Sequence, residues 1–68
     1  MEKATVKNTV QTYRKEKGMT QEDLAGIVGV TRQTIISIEK GNYVPSVLLA
    51  LKIAETFSVS VEELFTIK

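Results

Sequence analysis

Residues Gln21 to Lys40 read QEDLAGIVGVTRQTIISIEK. Leu24, Ala25 and Val28 fall on one face of a helix at 3.6 residues per turn. Ala25 is small where two helices must cross closely. Gly29 follows the apolar stripe and can take the left-handed conformation that ends a helix. Thr31 can then cap a second helix, whose Ile35 and Ile38 turn inward at i, i+3. The spacing of Ala25, Gly29 and Ile35 therefore has a mechanical reason at each step. The stretch predicts helices over 21–28 and 32–40, crossing steeply about a tight turn.

The flanks continue the pattern. Thr20 caps the first of these helices, with Asp23 as a short form of the capping box. Gly18 ends an earlier helix over 5–17, where Val6, Val10 and Tyr13 recur at i, i+4, i+7. Lys15 and Lys17 suit the dipole at its end. Gly41 stops the helix begun at Arg32, and Pro45 pushes Val44 out of the helical region, so 42–45 is a loop. Ser46 caps a helix over 47–57, and Ser58-Val59 is a turn. Ser60 and Glu63 form a full capping box for a short helix over 61–65. Thr66-Ile67-Lys68 is a tail that could pair as a short strand. Gly26 inside a helix costs about 1 kcal/mol in propensity, and no functional reason for it is evident. No strand-like alternation stands out elsewhere. The expectation is one all-α domain over 1–68 with five helices, those in 46–65 supporting the core.

Composition narrows the function. A chain of 68 residues, 43% hydrophobic and 25% charged, holds one small globular core. It contains no cysteine and no histidine, which excludes disulfides, thiolate or imidazole metal sites, and cysteine or histidine catalysis. No nucleophile–base set remains, so the chain reads as a non-enzyme that needs no cofactor. No apolar run is long enough to span a membrane. Met1-Glu2-Lys3 leads into polar sequence without a signal-peptide stretch, which points to the cytoplasm. Net charge is only +1. Residues 1–18 nonetheless carry five basic groups against two acidic ones, and residues 19–68 carry four against six. That asymmetry fits either a solvated helix face or a contact edge for a polyanion.

The strings TQEDLA (20–25), GVTRQTI (29–35), IEKG (38–41) and Pro45-Ser46, in this order and spacing, resemble the phage-repressor family of DNA-binding domains (Cro/cI-like, or XRE-like). The resemblance runs from about Val10 to Phe65. It implies a lambda-repressor-like fold whose helix-turn-helix unit is 21–40, with the second helix of the unit in the major groove. Arg32, Gln33, Ile36 and Ser37 lie opposite the inward Ile35 and Ile38 and become the base-reading candidates. Arg32 can donate twice to guanine O6 and N7, and Gln33 can pair with adenine N6 and N7. Ser37 permits close approach. Ile36 is either a tolerated exposed apolar residue or a partner for a thymine methyl. The family implies phosphate contacts at Gln21, Thr34, Lys40, Asn42 and Tyr43, though Tyr43 reads equally well as a packing residue. It also implies that Arg14 on the first helix reaches Glu39. That pair is either a lock on the recognition helix or a minor solvated contact.

The helix over 47–57 is too apolar for the surface of a monomer. Leu48, with Leu64, Phe65 and Ile67 further on, leaves an apolar surplus that fits either a tight core or a two-fold homodimer. The reading that results is a sequence-specific regulator binding double-stranded DNA, a repressor acting as a homodimer, with no small-molecule ligand evident. The alternative is an antitoxin-type module that neutralises a partner protein and represses its own operon.

Overall fold

The computed structural model describes residues 5–68. The expected polar start at Met1-Glu2-Lys3 lies outside them. The element order is β1 (Val6–Asn8), α1 (Val10–Glu16), α2 (Gln21–Val28), α3 (Arg32–Glu39), α4 (Val47–Phe57), α5 (Val61–Leu64) and β2 (Phe65–Ile67). Side-chain oxygens start each helix by taking a backbone N–H that has no helical partner. Thr20 accepts from the Asp23 N–H, and the Asp23 carboxylate accepts from the Thr20 N–H, both at 3.0 Å. Ser60 and Glu63 repeat this capping box at α5. Thr31 accepts from the Thr34 N–H and Ser46 from the Leu49 N–H. Gly29 ends α2 at φ +81°, in the left-handed region. Ser58 ends α4 in the same region at φ +57°, where a Cβ is strained.

The all-α expectation is corrected by a small sheet. β1 and β2 pair antiparallel, with Val6 opposite Ile67, Lys7 opposite Thr66 and Asn8 opposite Phe65. The helix expected over 5–17 therefore starts only at Val10. Val6 belongs to the strand and not to the helical stripe. The physical reason is local and long-range together. Asn8 Oδ1 accepts the Val10 N–H at 3.2 Å and starts the helix there. The β-branched residues before it find their partner far along the chain. Likewise α5 stops at Leu64 and not at Phe65, and the short strand expected of Thr66-Ile67-Lys68 runs over Phe65–Ile67 instead.

Val10, Leu24, Ala25, Val28, Ile35, Ile38, Leu49, Ile53, Ala54, Phe57 and Leu64 form the core, where all five helices meet. Tyr13 stacks on Phe57 with ring centroids 5.9 Å apart. Burying each large aliphatic or aromatic side chain contributes roughly 1.5–3 kcal/mol. None of the described helices is long and apolar enough to cross a membrane.

Candidate nucleic-acid interface

Two buried isoleucines orient α3. Ile35 and Ile38 are fully covered, which turns the opposite arc to solvent. Arg32 and Gln33 are exposed at its N-terminal end, whereas Ile36 and Ser37 are half-buried. The side chains of Arg32 and Gln33 have no hydrogen-bond partner among the described residues, so their donors are free to meet a ligand. Gln33, Thr34, Ser37, Asn42 and Tyr43 line one shallow hollow together with Thr31. Base-reading candidates and phosphate candidates are thus neighbours. Asn42 and Tyr43 are exposed and Thr34 is half-buried. Lys40 is exposed at the C-terminal cap of α3, on the wall of another hollow with Lys7 and Lys68.

A polar lock holds this helix from behind. Arg14 Nε donates to Glu39 Oε2 at 2.6 Å, and its Nη2 donates to Oε1 at 3.2 Å. The remaining Nη1 donates to the Met19 carbonyl at 2.7 Å. The two side chains are only 8% and 3% exposed. Arg14 and Glu39 therefore form a buried, two-pronged pair that ties α3 to α1, and not a solvated contact. Gln21 joins it, donating from Nε2 to Glu39 Oε1 at 3.1 Å. One amide hydrogen of Gln21 is thus turned inward. Its second N–H and the unpaired backbone N–H groups at the start of α2 remain for an anion.

Asn8 was not among the sequence candidates. Its Nδ2 donates to the Ile38 carbonyl at 2.8 Å, which fixes the last turn of α3 against the terminal ribbon. An asparagine two residues before Val10 is a helix-start signal, but the apparent stripe through Val6 masked it.

The apolar surface also differs from expectation. Leu64 is 1% exposed and packs in the core, so it is unavailable to a second copy. Its place is fixed because α5 lays this one side chain over α4 while Phe65 turns into the strand. Leu48 and Ile67 are exposed and Phe65 is half-buried. Val44, Val47 and Leu51 were not singled out for a partner, yet each is more than half exposed. Val47 borders two adjoining hollows, one with Val6, Pro45 and Phe65 and one with Leu48, Leu51 and Val61.

Comparison with known proteins agrees with this geometry. The family model described as Helix-turn-helix matches residues 10–64. The chain is 55% identical over 60 residues to YgzD of Bacillus subtilis, named an uncharacterized HTH-type transcriptional regulator, covering 88% of this chain and 91% of that one. It is 55% identical over 60 residues to a protein of the same description from Methanocaldococcus jannaschii, with the same coverage. Among solved structures it is similar to the restriction-modification controller protein C.AhdI from Aeromonas hydrophila, at 30% identity and TM-score 0.73 over 79% of this chain and 82% of that one. A structure from Bacteroides fragilis superposes with TM-score 0.81 at 26% identity, over 91% of this chain and all of that one. From the turn at Gly29, the outward arc of α3 and these matches together, the chain belongs to the helix-turn-helix family.

Proposed function

We propose that this protein is a sequence-specific double-stranded DNA-binding transcriptional regulator, a non-enzymatic repressor that acts in the cytoplasm as a homodimer on a palindromic operator. The observation that carries the reading is the exposed end of α3. Arg32 and Gln33 are exposed there and without a side-chain partner among the described residues, on a helix held from behind by the buried Arg14–Glu39 pair. The names of the 55% identical relatives, HTH-type transcriptional regulators, support it. Arg32, Gln33, Ile36 and Ser37 would read base edges in the major groove, with Ile36 offering its exposed part to a thymine methyl. Gln21, Thr34, Lys40, Asn42 and Tyr43 would hold phosphates and set the register.

The dimer brings two α3 helices ~34 Å apart, one turn of DNA. The surface that supports it is the exposed apolar side of α4, Val47, Leu48 and Leu51, with Val44, Phe65 and Ile67 beside it. Selection of bound duplexes from a random pool tests the function directly. It should return a palindrome with half-sites one turn apart. Arg32→Ala and Gln33→Ala should each lose about 1–3 kcal/mol on that site and relax the preference at one base pair. Unchanged preference in both variants refutes the assignment of α3.

A further inference from the structure

The β1–β2 ribbon has a face that neither the core nor the helix-turn-helix unit uses. Side chains alternate along a strand. Val6, Asn8, Phe65 and Ile67 therefore share one face, on which Val6, Asn8 and Phe65 are half-buried, Ile67 is exposed, and Asn8 holds Ile38. The Lys68 N–H donates to the Thr5 carbonyl at 2.8 Å, which extends the register by one pair. Thr5, Lys7, Thr66 and Lys68 then share the outer face, and all four are exposed. The side chains of this face are two ammonium groups and two hydroxyl-bearing threonines, with no acidic side chain among these four described residues.

Its lysines do not stand alone. Lys7 and Lys68 line one hollow with Lys40, at the C-terminal end of α3. The carboxylate on that wall belongs to Glu39, which is 3% exposed and already bound by Arg14 and Gln21. Three like charges around one open hollow repel each other, and no acidic side chain among the described residues pairs with them. A duplex backbone, with a charge per ~1.7 Å of axis, supplies several opposite charges at once. The hollow adjoins the helix that reads the groove, and Asn8 stops the ribbon from swinging away from it.

We propose that Lys7 and Lys68, on the outer face of the ribbon beside Lys40, form a second phosphate-binding patch that grips the DNA backbone flanking the bases read by α3. The inference rests on the DNA-binding reading above. The patch adds affinity without sequence preference, and its contribution is released by salt.

Salt-dependent binding of the full chain to its selected duplex and to a random duplex tests it. Lys7→Gln with Lys68→Gln should weaken both duplexes alike. It should make the log–log salt dependence shallower by about 1.8 per bound protomer. Lys7→Arg with Lys68→Arg should keep the wild-type slope, because the charge is kept. Both residues are exposed, so neither change disturbs the fold. If the wild type binds no duplex, the DNA-binding reading falls and takes the patch with it. If the wild type binds and the glutamine variant keeps its slope, only the ribbon patch is overturned. A loss that arginine fails to restore also overturns it, since the role would then not be one of charge.

Discussion

Glu39 accepts three hydrogen bonds, two from Arg14 and one from Gln21, while only 3% exposed. An exposed ion pair would be worth about 0–1 kcal/mol. Removing one partner of a buried pair strands the other charge, so Glu39→Ala should lower stability by about 3–5 kcal/mol in urea denaturation. A loss below about 1 kcal/mol would show that the pair is solvated. The Arg14–Glu39 pairing was legible through the family resemblance. The third bond was not, because a glutamine at a helix start reads first as an anion contact. Gly26 is simpler: a Cβ there meets nothing within 4 Å. Gly26→Ala should raise stability by about 1 kcal/mol through helix propensity alone, seen as a higher urea midpoint with an unchanged slope. Asp23 carries a pH signature. The Thr20 backbone N–H, and secondarily its hydroxyl, hold the carboxyl below its ordinary range. The unfolded chain, with a value of about 3.9, then binds more protons than the folded one just below that pH. The stabilisation is complete above about pH 4 and is lost as pH falls through the lower folded value. Asp23→Asn should flatten that part of the stability profile, and NMR titration of the carboxyl reads the shift directly.

At the scale of elements, α2, α3 and α4 begin where their caps place them, and these were the legible parts. Thr20, Thr31 and Ser46 act within three residues of themselves, so local chemistry is enough to locate them. The ribbon was not legible for the opposite reason. Val6, Val10 and Tyr13 fit a helical period, and the strand that captures Val6 is Phe65–Ile67, out of reach of any local window. The outward arc of α3 followed from helical geometry, because Ile35 and Ile38 fix its phase, while the base-reading role proposed for it came from the family resemblance. Leu64 could not be separated from Phe65 by pattern, since only the end of α5 decides which is buried. Asn8 joins the ribbon to α3. Asn8→Ala removes one donor from the Ile38 carbonyl, which keeps its bond from the Gly41 N–H, and takes the acceptor from the Val10 N–H, at a cost of about 0.5–1.5 kcal/mol per bond in thermal or urea unfolding. It should also weaken DNA binding more than that loss of stability alone requires, because the last turn of α3 loses its tie to the ribbon and keeps only those to Arg14 and Gln21.

For the whole molecule, the decisive property is what covers the outer side of α4. Leu48 is 64% exposed, so a charge there does not enter the core. Leu48→Glu should leave the helical circular dichroism spectrum unchanged and shift the sedimentation-equilibrium mass from twice 7.5 kDa toward 7.5 kDa at micromolar concentration. Binding to the palindrome should fall by roughly 100-fold as the second half-site loses its avidity. A wild-type mass of 7.5 kDa refutes the dimer. The ribbon has a mechanical consequence as well. β1 and β2 run antiparallel with Thr5 and Lys68 side by side at the open end, so tension applied at those two residues acts like a hand on a zipper. The hydrogen-bonded pairs, Lys68–Thr5 and then Lys7–Thr66, carry the load in turn and never together. The ribbon therefore peels at low force down to Asn8, whose bond to the Ile38 carbonyl is the first to pass the pull on to α3.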